Sequence, residues 1–437
     1  MKADAPTRNP SRRDTAKLGL LFAILYFVQS AGEPVAGLVA QPVRSLMRSW
    51  GESPATIATF AALVSLPWSL KPLYGLLSDL VPLAGYRRRS YLILTSGLAT
   101  ASFVALYLLR PGAGSATLLL VLLIVPTVSL AFGDVLVDAL MVEKGQPTGT
   151  TGILQSVQWA ASYTATLLIG VLGGYLSQRG MQLEAFLVVA ALCLLTLVLS
   201  WRFVTEERHR PGESFRETLE GLKAAASSRT LLAIAAFLFL WSLDPLSTTI
   251  VYLHTTVHLG LSEQFFGITI SVLAIGCIVA SVAYAFYCRR VSPAALAHAA
   301  ILLGALSQAA YWTMEGRVSA IVVHVIVGFT WMTGSLIQLD LAARICPPKA
   351  AATVFAVLMA LTNLASSLGE WLGGAWYESL LASMSGSAAF ATMVGFGVAA
   401  KLSCWLLYVI MPRGMALREV LVQSSSDRSG GEGGLRP

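Results

Sequence analysis

The chain has 437 residues, of which 56% are hydrophobic and only 12% charged, with a mean hydropathy of +0.70. Soluble domains carry about 25% charged residues, so these figures exclude a soluble globular protein and place the chain in a lipid bilayer. The net charge of +7 does not make a nucleic-acid surface, because the basic residues sit in short loops between apolar segments and do not gather on one soluble face.

In chain order, residues 1–16 are polar and basic and are expected to form a disordered cytoplasmic tail. No cleavage-like site follows the first apolar segment, so that segment is expected to remain as a span. A crossing helix needs about 20 apolar residues. Twelve segments qualify, at 17–41, 53–77, 89–110, 116–142, 149–177, 183–203, 229–254, 263–288, 294–314, 318–345, 350–380 and 388–411. Lysine and arginine mark the cytoplasmic side of short loops. With both termini cytoplasmic, 24 of the 30 basic residues lie inside and five outside, namely Arg44, Arg48, Arg110, Arg179 and Arg317, while Lys401 falls within a span. The short N-terminus points to a bacterial inner membrane.

The longest charged connection, 205–228, follows the sixth span. It divides the chain into one six-helix bundle over 17–204 and another over 229–412. Within it Phe215, Leu219 and Leu222 recur at helical spacing beside charged residues, which predicts an amphipathic helix on the membrane surface. The tail 413–437 is rich in Ser and Gly and is expected to be disordered. An internal repeat supports the division. Glu33-Pro34 in the first span matches Asp244-Pro245 in the seventh, Leu172-Gly173-Gly174 matches Leu372-Gly373-Gly374, and Asp138 and Asp340 close the fourth and tenth spans.

An ionisable group in a span costs roughly 2.5–3.5 kcal/mol on insertion scales, so each one needs a role. Glu33 and Asp244 each precede a proline, which removes a backbone donor and frees the carbonyl four residues earlier. An acid at such a break binds a cation, a proton or a donor group of a substrate, or else caps the kink. Asp134 and Asp138 are four apart and share one helix face. Either one of them carries a proton for coupling, or the pair joins Lys71 or Arg87, Arg88 and Arg89 in a gate network. Asp340 and Arg344 form an intrahelical salt bridge or a gate pair. Glu370 and Lys401, in the last two spans, can neutralise each other.

The other reactive residue types give weaker signals. His254 and His258 stand at metal-ligand spacing, but without an accompanying H-E-x-x-H they read as solvated interfacial residues. His324 is the better candidate for a cavity wall, against a plain packing role. The five cysteines show no C-x-x-C spacing and read as core. Neither a phosphate-binding G-x-x-x-x-G-K-[ST] loop nor a G-x-S-x-G elbow is present, so no enzyme activity, cofactor or metal is expected.

The most specific stretch is Trp68-Ser69-Leu70-Lys71-Pro72-Leu73-Tyr74-Gly75, then Ser78-Asp79, then Pro82, Gly85-Tyr86-Arg87-Arg88-Arg89-Ser90-Tyr91. Its charged part resembles the loop between helices two and three of major facilitator transporters, and the full form resembles the folate–biopterin transporter family. Gly133-Asp134 through Asp138-Ala139 resembles that family's D-x-x-x-D-A segment. Cys346-Pro347-Pro348 with Ala352-Thr353-Val354-Phe355-Ala356 resembles a third, although Ala351 stands where the family has an acid and Leu361-Thr362-Asn363 matches only in part.

The resemblance implies an all-α membrane protein with twelve transmembrane helices in two six-helix bundles of the major facilitator type. It further implies a secondary transporter that moves a folate- or pterin-like solute by alternating access, with protons as the coupling ion. Glu33, Asp134, Asp244 and Glu370 would then be protonation candidates, with Asp138 beside them, and Lys71, Lys401 and Arg344 the anion or gate partners. A lone Lys401 at mid-depth would suit a glutamyl carboxylate tail, and Trp159, Trp241, Trp331 or Tyr163 would stack the ring. Asp79 with Arg87, Arg88 and Arg89 would latch the inner gate beside Asp340. The same fold with another cargo (a muropeptide, drug or nucleoside) and a non-transporting ligand-delivery or sensor protein remain alternatives. They are separated by whether labelled cargo crosses the bilayer.

Overall fold

The structure, a computed structural model, describes residues 12–145, 151–206, 208, 229–287, 291, 293–345 and 351–410. Among these residues all regular structure is helical apart from a single isolated bridge between Leu83 and Tyr86. Ten helices are long and apolar enough to cross a bilayer, as the composition requires. The expected amphipathic helix in the 205–228 connection, the C-terminal tail and the Cys346-Pro347-Pro348 motif lie outside the described residues.

The chain enters through α1 (Arg12–Gly32), unwinds, and resumes in α2 (Ala40–Ser49). Next come α3 (Pro54–Ser65) and α4 (Lys71–Leu80), joined through a 3-10 turn into one apolar rod. The first half continues with α5 (Arg89–Leu109), α6 (Ala116–Gly145), α7 (Thr151–Gln178) and α8 (Glu184–Phe203). The second half opens on α9 (Arg229–Ser242), unwinds, and resumes in α10 (Thr248–Leu253) with a π-turn over His254–His258. It continues with α11 (Glu263–Tyr287), α12 (Pro293–Ala309), α13 (Arg317–Ile345), α14 (Ala351–Leu381) and α15 (Gly386–Ile410).

The structure corrects the reading of the first and seventh segments as continuous helices over 17–41 and 229–254. In each the apolar stretch is under 18 residues, Ala16–Gly32 and Leu231–Ser242, and the helix stops at its acid-proline pair. Proline explains the stop, since it offers no N–H to the ladder. Local hydrogen bonds beyond the proline turn the stop into a break instead of a simple kink. In the first half the chain folds back on itself, with the Gly37 N–H donating to the Glu33 carbonyl at 2.7 Å and the Leu38 N–H to the Ala31 carbonyl at 2.8 Å. A Cβ on Gly37 would stand 2.6 Å from the Ala31 carbonyl oxygen and 2.8 Å from the Glu33 nitrogen, so only glycine fits the fold-back. In the second half the Asp244 carboxylate accepts from the Leu246 N–H at 3.1 Å, a local turn that satisfies a backbone donor at the break. Irregular backbone at membrane depth survives only where protein covers it or it lines a cavity. Both breaks meet that condition.

The duplicated Gly-Gly pairs show how the halves are joined. The first glycine of each pair receives the broken stretch of its own half. A methyl on Gly173 would lie 3.2 Å from the Leu38 carbonyl oxygen, and one on Gly373 would overlap the Pro245 carbonyl. The second glycine faces the opposite half. A methyl on Gly174 would lie 2.9 Å from the Gly267 Cα, and one on Gly374 would overlap Ala58. Small residues let membrane helices approach to backbone contact, and here they build two seams, α7 against α11 and α3 against α14.

Call the side on which α1 begins and α15 ends the terminal face, and the opposite side the far face. Towards the far face one apolar core draws on both halves, from Leu38, Met47 and Phe186 to Tyr252, Tyr311 and Phe390. Towards the terminal face the cores separate. One around Phe22, Tyr91 and Leu136 belongs to the first half, and one around Leu238, Trp241 and Cys404 to the second. Polar contacts cross between the halves at more than one depth, and the Asn363 side chain donates to the Trp68 carbonyl at 3.1 Å. Glu263 of α11 receives Arg48 of α2 at 2.6 Å, and the Ala55 N–H donates to Glu378 at 2.9 Å. Both contacts cross between halves at the far face.

Candidate functional site

A cavity of about 570 Å³ lies between the halves, within the usual range for small-molecule sites. Its walls include parts of both unwound stretches, Glu33 and Val35 to Leu38 from the first half and Asp244 and Leu246 from the second, and so it brings Glu33 and Asp244 to one space. Trp159, Tyr163 and Trp331 line it, as do His324 and Cys277. Trp159 stacks on Tyr163 with ring centres 5.9 Å apart, and Tyr163 donates across to the Met332 sulfur in the other half. Trp241 does not join this wall. It is 4% exposed, packed beneath Lys401.

Lys401 itself is not the free cation that the sequence suggested. It is 2% exposed, pairs with Asp244 at 3.1 Å, donates to the Trp241 carbonyl, and sits 4.4 Å from the centre of the Trp241 ring. This arrangement replaces the expected pairing with Glu370, which lies elsewhere, near Arg44, Ser247 and Thr249. One Glu370 oxygen is buried without a hydrogen-bond partner. The other Asp244 oxygen positions the break, and Gln308 donates to the same oxygen that holds Lys401.

In the first half a second lysine–carboxylate pair stands on a tryptophan. Lys71 pairs with Asp134 at 2.6 Å and lies 4.5 Å from the Trp68 ring centre. Asp138, one turn on, accepts from Tyr26 at 2.7 Å and from Gln158 at 3.2 Å. The two carboxylates share a helix face, but each has its own donors. Glu33 lines the cavity without an ion pair among the described residues.

Of the three arginines after Asp79, only Arg88 reaches it. Arg88 is buried and binds Asp79 at 2.7 Å, Glu143 at 3.1 Å and the Ser78 hydroxyl at 2.6 Å. The backbone N–H groups of Arg87, Arg88 and Arg89 all donate to Glu206, and the Arg89 side chain donates to the Trp201 carbonyl. All these contacts lie within the first half and the start of the connection that follows it. Asp340 accepts from Tyr284 at 3.0 Å within the second half, and the Arg344 side chain lies outside the described residues.

The Arg88 cluster yields a prediction. The Asp79 side chain is 47% exposed against 7% for Arg88, so Asp79→Ala should cost under about 1 kcal/mol of stability. Arg88→Ala removes the shared donor and should cost about 1.5–3 kcal/mol. Thermal melting of the detergent-solubilised variants checks the order. Equal losses would mean that Arg88 does not centre the cluster.

Of the histidine pair, His258 is exposed, in keeping with the solvated reading, and His254 departs from it. His254 is 3% exposed and stacks on Phe390 at 3.7 Å, a packing role set by the π-turn. His324 faces the cavity, with its Nδ1 2.7 Å from the Ala320 carbonyl. Sequence reasoning missed Arg44 and Gln41, which both line the cavity. It had counted Arg44 as an outer-loop charge because the first span was drawn through the break. The signal available was Glu33-Pro34 itself, since a helix restarted after it carries Arg44 at depth.

The pattern of the BT1 family matches residues 38–413. The chain belongs to the BT1 family. Among curated members and relatives, a folate-biopterin transporter of Synechocystis sp. is 32% identical over 381 residues, 81% of this chain and 75% of that protein. Probable folate-biopterin transporter 4 of Arabidopsis thaliana is 24% identical over 89% of this chain and 93% of its own length. The fold is that of major facilitator transporters. The nucleoside transporter NupG superposes with a TM-score of 0.67 at 13% identity, over 90% of this chain and 99% of that one. A D-xylose-proton symporter does so with 0.67 at 15% identity, over 90% and 96%. For this BT1 member the likeness to those structures fixes the fold, and the relatives make it a multi-pass membrane transporter.

Proposed function

We propose that the chain carries a folate- or pterin-type solute across the membrane by alternating access, driven by protons. The observation that carries this reading is the meeting of two broken helices, one from each half, at a single cavity to which each brings an acid, Glu33 and Asp244. Duplicated, discontinuous helices that end at mid-depth beside a site are how secondary transporters expose polar groups to cargo and ions. Trp159 and Trp331 give the same cavity aromatic faces for a flat heterocycle.

The joined core and glycine seams at the far face, against separate cores at the terminal face, match the state open towards the terminal face. The lysine–arginine bias of the sequence supports a cytoplasmic position for that face. Transport then consists of opening the seams while the Arg88 and Tyr284 contacts, internal to each half, travel with their own bundles. Protons enter the cycle at the carboxylates, since protonating Asp244 releases Lys401 and Gln308 from the oxygen they share.

The test is uptake of labelled folate and biopterin into proteoliposomes with and without an inward proton gradient. Accumulation that follows the gradient supports the reading. Equilibration that ignores it keeps the transporter and removes proton coupling. Failure of both compounds to cross removes the cargo assignment.

A further inference from the structure

We propose that Arg44 is the anion anchor of the cavity, so that the cargo it selects is an aromatic compound bearing a carboxylate, a folate-type conjugate in preference to a neutral pterin. The proposal rests on the folate–pterin reading above and narrows it to one end of that range.

Arg44 lies on α2, one turn beyond the first break, with 6% of its surface exposed, on the cavity wall. Among the described residues, the other cations held inside the bundles are each neutralised at close range. Lys71 has Asp134 at 2.6 Å, Lys401 has Asp244 at 3.1 Å, and Arg88 has Asp79 at 2.7 Å and Glu143 at 3.1 Å. Arg44 differs. Its hydrogen bonds go to neutral oxygens, from Nε to the Thr249 hydroxyl at 3.2 Å and from Nη2 to the Val35 carbonyl at 3.0 Å. Glu370 and Tyr252 lie within its electrostatic reach, but among the described residues no carboxylate stands within the 4.0 Å of an ion pair.

A guanidinium carries five N–H donors, and two bonds to neutral oxygens leave most of that fork open. A buried cation with no carboxylate in direct contact is costly, and a carboxylate that enters as cargo supplies both a contacting charge and a planar, two-oxygen match. The rest of the wall fits the rest of such a molecule. Arg44 stands on the far-face side of the break, whereas Trp159, nine residues into α7 from its terminal-face end, lies on the other side. The cavity therefore has a cationic end and an aromatic end. A molecule that is acidic at one end and heteroaromatic at the other spans it.

The Arg44–Thr249 bond also joins the two halves, from α2 to α10. A carboxylate that draws the guanidinium towards itself weakens an inter-half contact, so occupancy and opening of the far face are linked through one side chain.

The experiment measures binding to the full-length protein in detergent by thermal shift and by competition with labelled folate. The probes are folate, biopterin, 4-aminobenzoylglutamate and the dimethyl ester of the last. The wild type should favour folate over biopterin and the free acid over its ester. Arg44→Gln should weaken folate and 4-aminobenzoylglutamate about tenfold to a hundredfold and change biopterin less than threefold. Arg44→Lys keeps the charge without the fork and should fall between. Should the glutamine variant fail to fold, the lysine variant and the acid–ester pair on the wild type carry the test.

Equal losses for folate and biopterin, or an ester bound as well as the acid, would overturn the anchor. A wild type that binds neither folate nor biopterin removes the folate–pterin reading. In that event binding of 4-aminobenzoylglutamate that needs Arg44 upholds the anchor, and no such binding overturns it.

Discussion

Replacing Asp244 with alanine should destabilise the protein by about 3–5 kcal/mol, the usual loss when one partner of a buried ion pair is removed, and should abolish gradient-driven accumulation. The size of the loss comes from what is left behind. Lys401 is 2% exposed on the last helix, and its remaining contacts are a backbone carbonyl and the face of an indole. Neither neutralises an ammonium. The double variant Asp244→Asn/Lys401→Met removes the stranded charge, keeps the shape of both side chains, and should recover most of the stability. It should not recover coupling, because no carboxylate remains at this pair to take the proton. Melting in detergent reads the first effect and proteoliposome uptake the second. A double variant as unstable as the single one would mean that the loss does not come from a stranded Lys401 charge. A double variant with full accumulation would move proton coupling away from this pair.

Substituting Gly267 with valine should impair closure of the far face more than any single polar change there. Its Cβ alone would overlap the Gly170 carbonyl oxygen and lie 2.7 Å from the Gly174 Cα, so α7 and α11 must part to admit it. Overpacking a well-packed interior costs about 1–3 kcal/mol, and backbone cannot yield as a side chain does. The strain is confined to the state in which the seam is shut. Valine at this position should therefore shift the population towards opening at the far face, read as faster alkylation of a cysteine placed at Ala36 by a reagent supplied from that side. Unchanged alkylation with normal transport would show that the seam does not gate access.

The fold was legible because apolar length is a strong signal and the ten span-length helices obey it. The breaks were legible only as kinks. Pro34 and Pro245 announce that a helix is disturbed, but how far it unwinds depends on Gly37 allowing a fold-back and on Gly173 and Gly373 making room from another helix. Those are contacts between segments distant in sequence. The same limit moved Arg44 out of the membrane, since a span drawn through the break ends three residues before it.

Site chemistry was visible as residue types and hidden as pairings. Glu33, Asp244, Trp159 and Trp331 were identified individually, and the structure brings them to one cavity. Lys401 was identified with the wrong neighbours, because the choice between Asp244 and Glu370 is made by helix packing and leaves no trace in local spacing. Trp241 was drawn away from the cavity for the same reason, as it supports Lys401 from below.

The seam between α7 and α11 has a consequence for how the protein can be altered. At most crowded contacts a bulky replacement is rescued by trimming the residue it strikes. Here the residues struck are Gly170 and Gly174, which have no side chain to lose. A genetic screen starting from a change at Gly267 should find its suppressors off the seam, among residues that set the spacing of the two helices elsewhere, and none at the point of collision.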